Sequence, residues 1–520
     1  MMNRFLTATA LLALSAGVAS AEYTLHILHT NDMHSRIESI NKFDSTCDAE
    51  GEAEGSCFGG VARVKAAVDQ KRAELDGQNV LLLDAGDPFQ GSLFYSTYKG
   101  AAEAEFMQAI GYDAMAVGNH EFDDGPQGLA DFIEKVSFPV VSGNLDLSGE
   151  ALLDGKVADH LTLEVGGKTI GIVSALATDT VETSSPGDGV VFQDEIEALT
   201  ADVAALEAEG VDIIIALNHV GLRKDRDIAA NVPGIDVVIG GHSHTLMSND
   251  DDDTPAYPEM VEGTPVAQAY AYTKYLGHLA VTFDDAGAVT AVTGEPMLLD
   301  ASVIPDESVL ARIAEMGAPI EELKQKVVAE TAAEIIGARE TCRAQECAMG
   351  NLIADAMLDR VKDQGVEIAI QNGGGIRASI DAGEVTMGEV LTVLPFQNTL
   401  STFQVTGASI VAALENGVSQ IEDGAGRFPQ VAGMSYAFDA SQPAGSRISD
   451  VMVGGAPIDP EKLYSVVSNN YVRNGGDGYA MFKDAQNAYD FGPDLADVTA
   501  EFLAANGPYT PYTDGRITAK

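Results

Sequence analysis

The stretch Gly118-Asn119-His120-Glu121-Phe122-Asp123 directly follows an apolar run at residues 114–117, and four other polar strings follow apolar runs in the same way. These four strings are Asp32-Met33-His34, Gly86-Asp87, Asn218-His219 and Gly240-Gly241-His242-Ser243-His244, after runs at residues 23–28, 80–83, 213–217 and 237–239. Apolar runs of this length, bounded by Gly, Asn and Asp, are typical of buried parallel strands. Because sites in open α/β sheets form beyond the carboxyl ends of strands, we expect these strands to deliver their polar residues to one edge.

Carboxylate, imidazole and amide side chains meet in these strings, and this mixture suits divalent transition metals. Five of the nine histidines of the chain lie there. A single His or Asp after a strand is usually a turn or capping residue, but five such strings together favour a two-metal hydrolase site. The predicted ligands are Asp32, His34, Asp87, Asn119, His219, His242 and His244. Asp84 is predicted to be structural rather than a ligand.

His120 follows Asn119 directly, so it lies within reach of a substrate bound beside the metals. Asp123, three residues further on, can accept a hydrogen bond from the imidazole and keep it cationic and oriented. We therefore predict a catalytic pair that stabilises phosphoryl charge or protonates a leaving oxygen. The alternative is that His120 only packs within its loop.

A chain of 520 residues exceeds what one hydrophobic core usually supports, so two or more domains are expected. Residues 22–306 alternate strand-like runs with helical patterns at 60–74, 101–110 and 195–209, which predicts an α/β domain with a mixed or parallel sheet covered by helices. A linking helix is expected at 307–325, with a bend near Gly317 and Pro319. Residues 326–520 contain no histidine and are predicted to form a second α/β domain.

The first 21 residues have the pattern of a signal peptide, with Arg4, an apolar stretch at 5–18 and the cleavage string Ala19-Ser20-Ala21. A membrane anchor is the weaker alternative because the stretch is too short to span comfortably. The polar C-terminus argues against a lipid anchor. The protein is therefore predicted to be periplasmic or secreted, without a membrane anchor.

The chain has four cysteines in two near pairs, Cys47 with Cys57 and Cys342 with Cys347. An even count in an exported chain favours two local disulfides, and thiolate metal ligands are the less favoured alternative because the spacing is not of the short CxxC type.

The net charge of −49 disfavours nucleic-acid polymers and anionic membranes as partners. It does not exclude a phosphate substrate, because salt screens the repulsion beyond about 10 Å and metal ions with a few arginines can dominate locally. The acidic run at residues 250–253 is interpreted as a solvated loop, with a calcium site as the alternative.

The strings Thr30-Asn31-Asp32-Met33-His34, Gly118–Asp123 and Gly240–His244 resemble the signature of the calcineurin-like metallophosphatases. Leu28-His29-Thr30-Asn31-Asp32 and Asn372-Gly373-Gly374-Gly375-Ile376-Arg377 narrow this resemblance to the 5′-nucleotidase family. The resemblance implies a four-layer dimetal domain, a linking helix and a C-terminal nucleotide-binding α/β domain. It also implies two divalent metal ions, with Zn²⁺ preferred over Mn²⁺ or Co²⁺, and a rotation between the domains.

By the same resemblance, one ion is held by Asp32, His34, Asp87 and His244, and the other by Asp87, Asn119, His219 and His242. His120 and Asp123 match the catalytic dyad. On the substrate side, Phe396 and Tyr471 match the aromatic pair that stacks on the base, Asp477 matches the ribose acceptor, and Arg343, Asn372 and Arg377 match polar and cationic contacts. His244 departs from members that have Gln or Asn there.

The resemblance implies an exported 5′-nucleotidase that cleaves nucleoside 5′-phosphates to nucleoside and phosphate by in-line attack of metal-bound water. The alternatives within this architecture are a 2′,3′-cyclic-nucleotide phosphodiesterase with 3′-nucleotidase activity and a UDP-sugar or nucleotide pyrophosphohydrolase. A more distant alternative is a non-catalytic nucleotide- or metal-binding protein. Monomer and homodimer both remain open as oligomeric states.

Overall fold

The computed structural model describes residues 22–520 except 43, 45, 179 and 491, and the predicted signal peptide lies outside the described residues. The strands of the first half are β1 (Tyr23–Thr30), β2 (Asn79–Asp84), β3 (Ala114–Ala116), β4 (Val140–Val141), β5 (Leu145–Asp146), β6 (His160–Val165), β7 (Lys168–Val173), β8 (Val191–Phe192), β9 (Ile213–Leu217), β10 (Val237–Ile239), β11 (Glu259–Val261), β12 (Thr264–Ala267), β13 (Tyr275–Phe283), β14 (Val289–Gly294) and β15 (Met297–Leu298). The helices of this half are α1 (Ala49–Glu54), α2 (Val61–Glu74), α3 (Leu93–Tyr98), α4 (Ala101–Ile110), α5 (Gly125–Ile133), α6 (Thr180–Thr183), α7 (Glu195–Ala208) and α8 (Leu222–Asn231).

These strands form two main sheets rather than the single sheet that the sequence pattern predicted. The first sheet has the order β14-β13-β1-β2-β3-β4, with β15 paired to β13, and β1 to β4 are parallel. The second has the order β11-β12-β10-β9-β7-β6, and β7, β9, β10 and β12 are parallel. A hydrophobic run indicates that a strand is buried but not which strands lie beside it. The runs alone therefore could not assign the strands to separate sheets.

The sheets pack against each other and carry helices on their outer faces. In β1 and β2, Leu28 and Leu82 pack with residues of α2, α4 and α5, whereas Ile27, Leu81 and Leu83 pack with strands of the second sheet. This alternation follows from side chains that point to opposite faces of a strand. Helices α7 and α8 contribute to the core of the second sheet. The layers are therefore helix, sheet, sheet and helix, as the resemblance predicted.

A single helix, α9 (Glu307–Lys324), connects the two halves of the chain and continues through Pro319. Its first turn is capped by Asp306, whose side chain accepts from the amide of Val309. The predicted linking helix is thus observed, although the domain limits at 306 and 326 stay predictions.

The second half is also α/β. Its strands are β16 (Val327–Thr331), β17 (Ile368–Asn372), β18 (Gly383–Thr386), β19 (Leu400–Thr406), β20 (Pro429–Ala432), β21 (Met434–Phe438), β22 (Ile448–Val453), β23 (Ala456–Pro457), β24 (Leu463–Asn469), β25 (Gln486–Tyr489) and β26 (Ile517–Ala519). Its helices are α10 (Arg339–Cys342), α11 (Ala348–Arg360), α12 (Met387–Val393), α13 (Gly407–Val418), α14 (Asn470–Arg473) and α15 (Leu495–Ala505). A central sheet β20-β17-β24-β19-β25 carries α11 and α15 on one face and α13 on the other.

Both predicted disulfides are present, Cys47–Cys57 before α2 and Cys342–Cys347 before α11. Within the described part of the chain, no helix has the length and apolar character needed to cross a bilayer.

Candidate metal centre and substrate cluster

The predicted ligands leave their strands on sharply bent backbone. Five of the seven adopt positive φ, a conformation that L-residues with a Cβ rarely take. They are Asp32 (51°), His34 (45°), Asp87 (60°), His242 (73°) and His244 (48°). Such strain persists only where the surrounding structure fixes it, and it concentrates at functional sites. The bent backbone therefore directs the side chains of the predicted ligands toward one another.

Glycines give these loops the room to approach one another. A Cβ at Gly86 would lie 2.9 Å from Nδ1 of His219, and one at Gly241 would lie 3.1 Å from Oδ2 of Asp32. A Cβ at Gly118 would collide with the carboxylate of Asp87. The Gly residues within the strings thus serve the close packing of the polar side chains beside them.

Three strand ends of the first sheet and two of the second bring the predicted ligands together. Three groups of side chains have ligand atoms within 4.8 Å of one another: Asp32, His34 and His244; His34, Asp87 and His120; and Asp87, His219 and His242. Among the described residues these are the only such groups, and none includes residues 250–253. Asp87 and His34 each belong to two groups, which gives the centre the connectivity of a two-ion site.

Distances within the centre fit this assignment. Oδ2 of Asp87 lies 3.0 Å from Nε2 of His219, and Oδ1 of Asn119 lies 2.9 Å from Nδ1 of His242. On the other side, Nε2 of His244 lies 3.3 Å from Oδ1 of Asp32 and 3.0 Å from Nε2 of His34.

Backbone carbonyls orient two of the imidazoles. Nδ1 of His219 lies 2.7 Å from the carbonyl of Ala85, and Nδ1 of His34 lies 3.1 Å from that of Phe89. A neutral imidazole that donates from Nδ1 presents Nε2 as an acceptor for a metal ion. The donor set of imidazoles, carboxylates and one amide oxygen fits divalent transition metals.

His120 and Asp123 form a short hydrogen bond, with 2.6 Å between Nδ1 and Oδ2. Burial alone would lower the pKa of His120, but the charges of Asp123 and Asp87 outweigh it and raise that pKa to about 9. The backbone amide of His120 donates to Oδ1 of Asp87 at 2.9 Å. A cationic ring is thus held beside the predicted metals. Distances alone would also allow His120 to be a ligand, so its role needs a test by metal content.

The predicted substrate residues lie together in the second half of the chain. Asn372 donates to Oδ2 of Asp477 at 2.7 Å, and the hydroxyl of Tyr471 donates to Oδ1 at 3.1 Å. The guanidinium of Arg377 lies 5.5 Å from the ring centroid of Phe396. Arg343 is buried, and burial followed by the charges of Arg339 and Arg377 lowers its pKa. We call these residues the substrate cluster: Arg343, Asn372, Arg377, Phe396, Tyr471 and Asp477.

The second half faces the metal centre with other residues. Gln397, Thr399 and Asn470 line a narrow cavity that also borders His34 and His120. A larger cavity of about 470 Å³ beside His242 and His244 is lined by Asn470, Arg473 and Asn474. Among the described residues that line these two cavities, none belongs to the substrate cluster. The metal centre and the substrate cluster are therefore apart in this arrangement of the domains.

Both halves of the chain match families of known proteins. The family model for calcineurin-like phosphoesterases matches residues 25–246, and that for the 5′-nucleotidase C-terminal domain matches residues 327–484. The 5′-nucleotidase of Diplobatis ommata is 40% identical over 98% of this chain and 92% of its own, and that of Homo sapiens is 38% identical over 98% and 94%.

The chain belongs to the 5′-nucleotidase family. The family and the fold inferred from the motifs are confirmed, and membership implies divalent metal ions in a phosphoric monoester hydrolase. A solved 5′-nucleotidase precursor from Thermus thermophilus is 41% identical, with a TM-score of 0.62, and covers 96% of this chain and 99% of its own. The NAD nucleotidase of Haemophilus influenzae is 28% identical, with a TM-score of 0.78, and covers 96% and 100%.

Sequence reasoning missed a buried carboxylate that supports this 5′-nucleotidase-family centre. Glu121 accepts from the amides of Gly118 (2.7 Å) and Asp87 (3.0 Å), so it joins the loops after β2 and β3. Burial, and then the charge of Asp87, raises its pKa to about 8. The signal was its position within the string, between a predicted ligand and the predicted dyad partner.

Asp84, which the sequence set apart from the ligands, also acts on the backbone. Its carboxylate accepts from the hydroxyl of Thr30 (2.5 Å) and from the amide of Gly86 (3.0 Å). It therefore supports the loop before Asp87 rather than entering the groups that could hold an ion.

Proposed function

We propose that this protein is an exported, metal-dependent hydrolase of nucleoside 5′-monophosphates, periplasmic or secreted, that releases a nucleoside and inorganic phosphate. The observation that carries the proposal is the convergence of seven candidate ligands and the His120–Asp123 pair at one edge of a chain that matches 5′-nucleotidases over nearly its whole length. Zn²⁺ is the proposed native metal, with Mn²⁺ and Co²⁺ as alternatives.

We assign Asp32, His34, Asp87 and His244 as the ligands of one ion. We assign Asp87, Asn119, His219 and His242 as the ligands of the other. Two divalent ions bound there would act as Lewis acids on phosphoryl oxygens and lower the pKa of water toward about 7. Asp87, which belongs to two of the groups of side chains, would contribute a ligand to each ion.

His120 acts on the phosphoryl group from the protein side. Its Nδ1 is hydrogen-bonded to Asp123, which fixes the ring, and a pKa raised to about 9 keeps the ring cationic at neutral pH. A nitrogen of the ring lies within 4.8 Å of ligand atoms of His34 and Asp87. A cation fixed there stabilises negative charge on phosphoryl oxygens or donates a proton to the leaving oxygen.

The substrate cluster would bind the nucleoside. Phe396 and Tyr471 supply aromatic faces for a base, and stacking contributes about 1–3 kcal/mol per base without strong base selection. Asp477 can accept hydrogen bonds from ribose hydroxyls, and Arg343 and Arg377 place positive charge near the phosphate in an otherwise very acidic protein.

Hydrolysis then requires that the cluster move to the metals, by rotation of the domains about α9. The separation of the two sites supports this step. A second support is the Thermus thermophilus structure, since 41% identity over nearly the whole chain with a TM-score of only 0.62 fits the same domains in a different mutual arrangement.

Phosphate release by the metal-depleted protein, reloaded with Zn²⁺, Mn²⁺ or Co²⁺, would test the proposal on AMP, ATP, UDP-glucose, 2′,3′-cAMP and NAD. We expect AMP to have the highest kcat/KM and the depleted protein to be inactive. A protein that binds AMP but releases no phosphate with any metal would be a binding protein instead.

A second candidate, hydrolysis of phosphoanhydrides in larger nucleotides, is favoured by one observation. The cavity of about 470 Å³ beside His242 and His244 is also lined by Arg223 and Lys224 and could hold a second anionic group. In the same panel, a kcat/KM for UDP-glucose or NAD above that for AMP would select this candidate.

A further inference from the structure

Both oxygens of the Asp123 carboxylate are engaged. Oδ2 faces Nδ1 of His120, and Oδ1 accepts a hydrogen bond of 2.8 Å from the hydroxyl of Ser184. Ser184 is distant in sequence and belongs to the connection that follows β7 of the second sheet, whereas Asp123 follows β3 of the first. The hydrogen bond therefore joins the catalytic pair to the other sheet.

The segment that carries Ser184 is itself attached to the metal centre. The amide of Ser184 donates to the carbonyl of Thr180 at 3.0 Å, and the hydroxyl of Thr180 donates to the carbonyl of Ala177 at 2.7 Å. The amide of Ala177 donates to the carbonyl of His219, a candidate ligand, at 2.9 Å. Ser184 thus has a position defined by the same loops that hold the ligands.

The carboxylate of Asp123 needs such a partner. Its side chain is 20% exposed, and the torsion that turns a carboxylate about its Cβ–Cγ bond is only weakly restricted. A carboxylate held at one oxygen alone can rotate and lengthen its bond to the imidazole. A hydroxyl bound to the second oxygen fixes the plane of the carboxylate.

We propose that Ser184 is a positioning residue for the reaction, acting through Asp123 to keep the ring of His120 oriented. The inference rests on the proposed function, because it assigns His120 to the phosphoryl group. It makes the catalytic unit a chain of three side chains drawn from both sheets.

The test is the steady-state hydrolysis of AMP by Ser184→Ala, Ser184→Thr and the control Ser185→Ala. Ser185 is the exposed neighbour of Ser184, and both line a cavity of about 450 Å³ that also borders Asp123. Loss of a hydrogen bond to a carboxylate predicts about a tenfold lower kcat for Ser184→Ala, with KM within about twofold and metal content unchanged. Ser184→Thr keeps the hydroxyl and should recover most of kcat, and Ser185→Ala should match the wild type.

A double-mutant cycle separates positioning from a general structural role. In the Asp123→Ala background the further change Ser184→Ala should leave kcat unchanged, because the group through which Ser184 acts is gone. An undiminished effect in that background, equal kcat for Ser184→Ala and wild type, or no recovery by Ser184→Thr would each overturn the inference. If the wild-type protein released no phosphate from any nucleotide, the proposed function would have failed instead.

Discussion

The metal centre and the substrate cluster are built in opposite ways. Asp32, Asp87 and His219 are buried at strand ends. The backbone of Asp32 and Asp87 has positive φ, and neighbouring glycines allow the loops to pack closely. In the cluster, Arg343 and Asn372 are buried, but Tyr471 is 46% exposed and Arg377 is also exposed. The hydrogen bonds between members join Asn372 and Tyr471 to Asp477. One region is fixed by the core, and the other is partly exposed at the surface.

This difference indicates how each region should respond to change. A rigid polar centre holds its groups close to productive geometry, so a missing group cannot be replaced by a neighbour. A surface that binds by stacking and a few polar contacts loses affinity in steps. Substitutions in the centre should therefore remove kcat, and substitutions in the cluster should mainly change KM.

The largest effect is expected for Asp87→Ala. The carboxylate belongs to two of the three groups that could hold an ion, so its loss should release bound metal and reduce hydrolysis of AMP below detection. Elemental analysis of the dialysed protein checks the metal, and phosphate release checks the activity. Asp84→Asn is the matched control, because Asp84 supports the loop without joining a ligand group; full metal content in Asp87→Ala would contradict the assignment.

His120→Ala should lower kcat by about 10²–10⁴-fold, the usual range for a general acid or base, while both metals stay bound. The same assays distinguish the roles of this residue. Loss of metal in His120→Ala would make it a ligand, an assignment that the 4.8 Å grouping with His34 and Asp87 also allows.

Much of the centre could be predicted from the sequence because each ligand follows an apolar run. Asp32, Asn119 and His219 lie where those runs end, and the ends of parallel strands meet in space. The runs could not separate the two sheets, since a strand pattern records burial and not the identity of the neighbouring strand. The supporting role of Glu121 was missed because its partners are backbone amides, and only its position within the string pointed to it.

The arrangement of the domains was also beyond the sequence. Gln397 and Asn470 face the metal centre although nothing in their motifs distinguishes them from Phe396 and Tyr471, their immediate neighbours. A shift of one residue along a loop is enough to turn a side chain from one cavity to another. The motifs named the residues of the cluster and the resemblance implied a rotation between the domains, but neither indicated which arrangement of the domains the chain would adopt.

Locking the domains should break the connection between the two regions. Ser96 on α3 and Asp497 on α15 line the same cavity of about 450 Å³ between the two halves of the chain, so Ser96→Cys with Asp497→Cys places one thiol on each half, far in sequence from the native disulfides. Treatment with a short bis-maleimide should reduce the hydrolysis of AMP in proportion to the cross-linked fraction, because the cluster can no longer reach the metals. The two single-cysteine variants, treated alike, should keep their activity.

Full turnover by the cross-linked protein would contradict a required domain movement. Hydrolysis of a small phosphate ester such as p-nitrophenyl phosphate, which needs no base site, should persist in the cross-linked protein. Persistent hydrolysis of this ester would show that the metal centre is intact and that the cross-link prevents the bound nucleotide from reaching it.

The smallest effects are expected at Tyr471. The ring of Tyr471 packs against Gly476, where an added Cβ would be 2.6 Å from its Cε1 and Cε2 atoms, and the side chain is 46% exposed. Tyr471→Ala should raise KM for AMP by about 5- to 150-fold, which corresponds to the energy of one stacked base.

Tyr471→Phe keeps the ring but removes the hydroxyl that donates to Oδ1 of Asp477. A ribose hydroxyl could then bind Asp477 without displacing the tyrosine. KM for AMP should therefore fall by a few-fold at most, roughly the value of one hydrogen bond. Initial rates at constant metal measure both variants. An unchanged KM in Tyr471→Ala would remove this residue from the base site, and a large loss of kcat in either variant would mean that the two regions are less independent than their construction indicates.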